Sequence, residues 1–100
     1  MNVVFKDEYL KLRETLPKNT LLLVKMGDYY EIFLSDASRA SFILEIPLCS
    51  RNGNWQCGFH VHEKDRYLPR LLEDWDEVAI AEQDKHYKWV VTQTLRRNEE

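Results

Sequence analysis

Phe5, Tyr9, Leu12 and Leu16 recur at helical spacing, which predicts an amphipathic helix that Pro17 ends. "TLLLVKM" is a short, continuous apolar run flanked by turn residues, the pattern of a buried strand rather than a helix. Gly27-Asp28 then turns the chain into "YYEIFL", which alternates as a second strand. Ser35 or Asp36 is placed to cap a helix reaching about Glu45, with Ala37, Ala40 and Leu44 on one face. In "IPLCSRNGNWQCGFH", Asn52-Gly53 sits between two strand-like runs. That predicts a hairpin with a type I′ turn, whose two central residues need positive φ.

A further helix should follow, with Tyr67, Leu68, Leu71, Leu72 and Trp75 inward and Pro69 in its first turns or kinking it. "EVAIAE" reads as a buried strand, and "YKWVVTQTL" as an amphipathic one with Tyr87, Trp89, Val91 and Leu95 on one side. The order is helix, two strands, helix, hairpin, helix, two strands. It describes an α+β fold, a mixed β-sheet flanked by helices.

With 100 residues the chain fits one domain, expected to have its core over about 5–95 and a loose charged tail over 96–100. No apolar run approaches the ~20 residues that span a bilayer, and the N-terminus lacks a signal-peptide pattern. Two cysteines do not make a disulfide framework. The expectation is a cytoplasmic protein with no membrane partner. A formal net charge of -3 weighs against strong independent DNA binding, because phosphate neutralisation supplies most of the affinity of such proteins. Any DNA contact must come from a local patch or from a partner.

Three other chemistries find little support in the spacing. Cys49, Cys57, His60 and His62 have the residue types of a zinc site. The Asn52-Gly53 turn, however, sets Ser50 opposite Trp55, Cys49 opposite Gln56 and Leu48 opposite Cys57, so the two thiols project from opposite sheet faces. Packed thiols and loop histidines are the expectation, with no metal and no cofactor. Lys25, Asp28, Glu31 and Glu45 supply the residue types of a metal-dependent nuclease, but nothing in their spacing demands that they converge. The three glycines belong to no phosphate-cradling loop.

"KMGDYYEIF" remains. On a strand, Tyr29, Glu31 and Phe33 share one face while Tyr30 and Ile32 take the other. One reading makes Tyr29 and Phe33 core aromatics with Glu31 at the solvent edge. The other makes Tyr29 an exposed wedge with Glu31 as a hydrogen-bond acceptor beside it. Spacing leaves both open.

These residues also carry a resemblance. "LLLVKMGDYYEIFLSDASRAS" is similar to the opening of the N-terminal mismatch-recognition domain, domain I, of the MutS DNA mismatch repair family. That family has a leucine-rich run, then Met-Gly-Asp-Phe-Tyr-Glu-hydrophobic-Phe, then a helix opening Asp-Ala. "IPLCSR", "GFHVHEKDRYL", "EVAIAEQ" and "KWVVTQTL" resemble its later segments in the same order, so the likeness covers about Tyr9 to Leu95. It implies non-enzymatic binding of double-stranded DNA at mismatches, bulges or other distortions. An aromatic would stack into the duplex from the minor groove and a glutamate would contact the base. Carried over, Tyr29 takes the wedge position and Glu31 the acceptor position. Arg51 and Asn52, in the hairpin, are weaker contact candidates.

The chain departs from that pattern in four places. Tyr29 stands for the usual phenylalanine and His60 for a proline, although His62 keeps the histidine position. The hairpin at Asn52-Gly53 is shorter than the family's loop, and the segment between Glu82 and Trp89 is compressed. The 100 residues contain no counterpart of the family's connector, lever, clamp and ATPase domains, so the expectation is a freestanding domain that binds DNA weakly alone. Two alternatives follow. The first is a protein-interaction module that keeps the scaffold and docks on a repair, replication or mobile-element partner, perhaps one that supplies the missing clamp. The second is the metal-dependent nuclease.

Overall fold

A continuous sheet with helices on both faces organises the chain. The computed structural model describes residues 3–97. Helix α1 (Val3–Glu14) leads to strands β1 (Thr20–Met26) and β2 (Tyr29–Phe33), then helix α2 (Leu34–Leu44). Strands β3 (Cys49–Arg51) and β4 (Asn54–His60) form the hairpin. A single 3-10 turn, Val61–Glu63, enters helix α3 (Lys64–Asp74), and β5 (Glu77–Gln83) and β6 (Trp89–Arg96) complete the fold. The spatial order is β3-β4-β2-β1-β5-β6. Only β1 and β5 run parallel, and every other neighbouring pair is antiparallel. No helix among the described residues is long and apolar enough to cross a membrane.

Two apolar clusters hold the layers together, one on each sheet face. The larger joins Leu21, Leu23, Tyr30, Ile32, Phe59, Val78 and Ile80 of the strands to Ala37, Ala40 and Leu44 of α2 and to Tyr67, Leu68 and Leu71 of α3, with Trp75 just beyond. The smaller sets Tyr9 against Leu22, Val24, Phe33, Ala79 and Ala81, with Phe5, Leu12, Leu16, Trp89 and Val91 packed around them. The alternation of β1, Leu21 and Leu23 to one side and Leu22 and Val24 to the other, explains why its sequence reads as an unbroken apolar run: both faces are covered. Arg13 of α1 reaches Asp36 in the first turn of α2, donating from Nε at 3.0 Å and from Nη2 at 2.8 Å. The nearly buried Asp36 is thereby compensated.

Three expectations are corrected. Neither Ser35 nor Asp36 caps α2. The helix begins directly after β2, with Leu34 at φ 62° and no side-chain cap on the preceding Phe33, and Asp36 is committed to Arg13. The face of β6 is not uniform either. A bulge shifts the register so that Ile80 pairs with Gln93 but Ala81 pairs with Val91. The extra residue, Thr92, flips the alternation, so Trp89 and Val91 join the smaller cluster while Leu95 joins the larger. Tyr87 precedes the strand at φ 64° and is exposed.

The expected tail is tied down at its start. Arg96 ends β6, and Arg97 donates its backbone N–H to the Asp76 carbonyl at 3.0 Å and its Nε to the Leu72 carbonyl. The rest of that segment, 98–100, lies outside the described residues. Pro69 is inside α3, in its second turn.

Candidate nucleic-acid interface

The register of the strands decides which side chains share the face of Tyr29. Tyr29 pairs with His60, Glu31 with Gly58 and Phe33 with Gln56. In the adjoining hairpin, Cys49 pairs with Gln56 and Arg51 with Asn54. Paired residues point to the same side, so Tyr29, Glu31, Gln56, His60, Cys49 and Arg51 all belong to the face on which α1 lies.

Helix α1 covers only part of that face. Its Phe5 and Tyr9 rings meet Phe33 edge-on, with centroids 5.3 and 5.4 Å away, and Phe5 meets Trp89 at 5.5 Å. The helix therefore seals the C-terminal end of β2 and leaves its start open. Along one face of one strand, Phe33 is buried, Glu31 is half-buried and Tyr29 is 49% exposed. The reading of Tyr29 as a core aromatic is thus replaced: Phe33 is the core residue and Tyr29 is at the surface.

The open area is a shallow concavity of about 220 Å³ between Tyr29 and Arg51, lined also by Glu31, Cys49, Gln56 and Gly58. His60 steadies the Tyr29 ring, edge to face at 5.3 Å and 72°, and His62 stacks on His60 at 4.5 Å. His60 Nδ1 accepts the His62 backbone N–H at 3.1 Å. Glu31 crosses toward β4 and accepts a hydrogen bond from Gln56 Nε2 at 3.1 Å.

Gly58 makes that crossing possible. A Cβ there would lie 2.6 Å from Glu31 Oε2 and 2.6 Å from the Tyr30 carbonyl oxygen. Moving the flexible carboxylate relieves only the first clash, since the second is with backbone. Gly58→Ala is therefore expected to destabilise the fold by about 1–3 kcal/mol and to displace Glu31 from the concavity. Urea denaturation followed by circular dichroism measures the first effect. A stability equal to that of the unsubstituted protein would refute it.

Arg51 is exposed at the end of β3. Among the described residues it is the one arginine without an ion pair, whereas Arg13, Arg39, Arg66, Arg70, Arg96 and Arg97 each have a carboxylate partner. Asn52 and Gly53 have φ of 53° and 78°, as a type I′ turn requires, and the Asn52 carbonyl accepts from Asn54 Nδ2. Asn52 is at the tip of the hairpin, one residue beyond Arg51.

The other candidate sets do not assemble here. Cys57 is buried, donates to the Ala37 carbonyl at 3.3 Å, and has its thiol pushed up to about 12 by burial. Cys49 is exposed on the other face rather than packed, and His60 ends β4 rather than lying in a loop. Lys25, facing away from Glu31 on β1, pairs with Glu82, and Glu45 receives Arg70 at the end of α2. Gln56 and Gly58 were not singled out by the sequence. Their part in the site depends on the β2–β4 register, and the strand pattern of β4 alone does not reveal it.

This constellation sits on an α+β domain whose sequence matches one family along most of its length. The chain belongs to that family, MutS domain I, whose model matches residues 4–98. Among its relatives, the DNA mismatch repair protein MutS of Leptospira interrogans is 42% identical over 86 residues, covering 85% of this chain and 10% of that protein. MutS of Petrotoga mobilis is 46% identical over 76 residues, covering 76% of this chain and 9% of that protein. MutS of Streptococcus agalactiae is 43% identical over 82 residues, with 77% and 9% covered. The chain thus spans 9% to 10% of the length of these curated relatives.

Proposed function

We propose that this domain binds double-stranded DNA without catalysing a reaction, that it prefers mispaired, unpaired or distorted sites, and that it acts in mismatch repair. The observation that carries the reading is a half-exposed Tyr29 beside Glu31 on a sheet face that α1 leaves open, with an unpaired Arg51 across the same concavity. In this reading Tyr29 stacks at a weakened base step, Glu31 accepts a hydrogen bond from the base, and Arg51 and Asn52 approach the backbone.

The energetics favour defective sites. Inserting a ring between bases costs a few kcal/mol of unstacking, and less where pairing is already lost. A carboxylate repels phosphates, so matched DNA has little to offset Glu31, while an exposed base edge does. The membership in MutS domain I and the mismatch-repair names of its relatives support the same conclusion. With a net charge of -3, the affinity for matched DNA should be that of a weak non-specific binder, Kd on the order of 10⁻⁴–10⁻⁶ M.

The interaction-module reading calls for an apolar patch over this surface. The lining there mixes Glu31, Arg51 and Gln56 with Pro47, Cys49 and the single aromatic Tyr29, with His60 beside it, and is not a continuous apolar patch. The most exposed large apolar residue, Phe42 at 85%, is on α2 behind the other sheet face.

The test is fluorescence anisotropy at low salt with matched, G·T-mismatched and single-base-bulge duplexes. The two defective duplexes should bind tighter than the matched one, and equal affinity for all three would contradict the reading. Glu31→Gln, which removes one negative charge, should tighten matched-duplex binding by roughly 2- to 5-fold and narrow the preference for defects.

A further inference from the structure

The concavity beside Tyr29 holds a polar side chain for which a wedge and an acceptor alone leave no role. Gln56 is half-buried on β4, and its Nε2 donates to Glu31 Oε2 at 3.1 Å. Carboxylate oxygens only accept, so the amide nitrogen must face Glu31 and the amide oxygen must face away. The Gly58 backbone, with no Cβ in the way, lets the carboxylate lie against β4 where this bond forms. One N–H of Gln56 is engaged. The other, and Glu31 Oε1, have no hydrogen-bond partner among the described residues. A pinned acceptor therefore stands beside a pinned donor in a recess of about 220 Å³ that opens next to an exposed ring.

We infer that Glu31 and Gln56 together read the keto bases, guanine and thymine, when such a base is unpaired. The inference rests on the proposed DNA-binding role and specifies its ligand. A keto base presents a ring N–H next to a carbonyl: N1–H beside O6 in guanine, N3–H beside O4 in thymine. Glu31 Oε1 accepts the ring N–H, and the free Nε2–H of Gln56 donates to the carbonyl. Adenine and cytosine carry a bare ring nitrogen next to an amino group. In the same alignment they set a lone pair against the carboxylate and a donor against a donor, leaving both contacts unmade.

Amino bases would fit only in the reverse alignment, with Gln56 at the ring nitrogen. The order of rows on the sheet opposes it. Tyr29 pairs with His60, the next row is Glu31 with Gly58, and Gln56 is one row further, opposite Phe33. A base stacked on Tyr29 meets Glu31 at its centre and Gln56 at its rim.

The experiment measures the domain's binding to a matched duplex and to four duplexes that carry one unpaired T, C, G or A in identical flanks. Comparing T with C and G with A removes the size and stacking differences between pyrimidines and purines. The expected result is roughly 3- to 10-fold tighter binding of T than C and of G than A. Gln56→Leu, which keeps bulk and removes the donor, should cut each preference by roughly 2-fold or more, leaving the part that Glu31 supplies, while all four bulges stay ahead of the matched duplex. Gln56→Glu, which replaces the donor with an acceptor, should do the same. Circular dichroism confirms that both variants fold.

Equal binding of all four bulges, each above the matched duplex, overturns the keto reading and leaves the mismatch reading standing. A preference for C and A, or a keto preference that neither substitution lowers, also overturns it. If no bulge exceeds the matched duplex, the DNA-binding proposal itself fails and this inference falls with it.

Discussion

Tyr29→Ala should weaken binding to a bulged duplex by roughly 5- to 150-fold, the loss expected when one base–aromatic stack of about 1–3 kcal/mol is removed. Matched-duplex affinity should barely change, because there the ring has no weakened step to enter and phosphate contacts dominate. The fold should survive the substitution. Tyr29 is 49% exposed, belongs to neither apolar cluster, and touches His60 only edge-on. Tyr29→Phe provides the complementary case. It keeps the ring and removes a hydroxyl that must find a partner inside the duplex, so it should bind the bulge at least as tightly as the unsubstituted protein. Anisotropy titrations at low salt measure all three proteins. A tyrosine-to-alanine change that costs matched and bulged duplexes equally would mean the ring is a general contact and not a wedge.

The second large effect concerns the scaffold. Trp75→Ala should cost about 3–5 kcal/mol, a large fraction of the roughly 5–15 kcal/mol that holds a typical domain folded. Trp75 is 1% exposed at the end of α3, in the cluster that binds α2 and α3 to the sheet. The Arg39 guanidinium sits 4.2 Å from the ring centroid and also donates to Asp74 Oδ2 at 2.7 Å, so the indole anchors a link between α2 and α3. Removing it leaves a cavity and a cation without its aromatic floor. Urea denaturation should show a much lower midpoint, and a loss below about 1 kcal/mol would indicate that the site collapses far more completely than typical large-to-small core changes do.

Much of this fold is legible locally. The unbroken apolar run of β1, the alternation of β2 and the Asn52-Gly53 turn each follow from short-range rules, and the structure has them at those positions. What the sequence conceals is set by partners far along the chain. The bulge at Thr92 is invisible to a period-two reading, because an inserted residue shows only against the strand it pairs with. Asp36 looks like a helix cap until Arg13, 23 positions away, is found to hold it.

The candidate site divides in the same way. That Tyr29 and Glu31 share a face is a property of any strand. That Tyr29 is exposed while Phe33, four residues on, is buried depends on how far α1 reaches across the sheet, and no local pattern encodes that. The family resemblance pointed to the wedge and acceptor positions. Gln56 and Gly58 emerge only once β2 and β4 are in register.

The most direct test follows the backbone and ring signals of isotope-labelled protein by NMR during titration with a bulged duplex. Shifts should be concentrated at Tyr29, Glu31, Arg51, Gln56 and Gly58, with nuclear Overhauser contacts between the Tyr29 ring and the bases flanking the bulge. Shifts confined to α2 and α3, or a Tyr29 ring with no contact to any base, would contradict the mismatch reading.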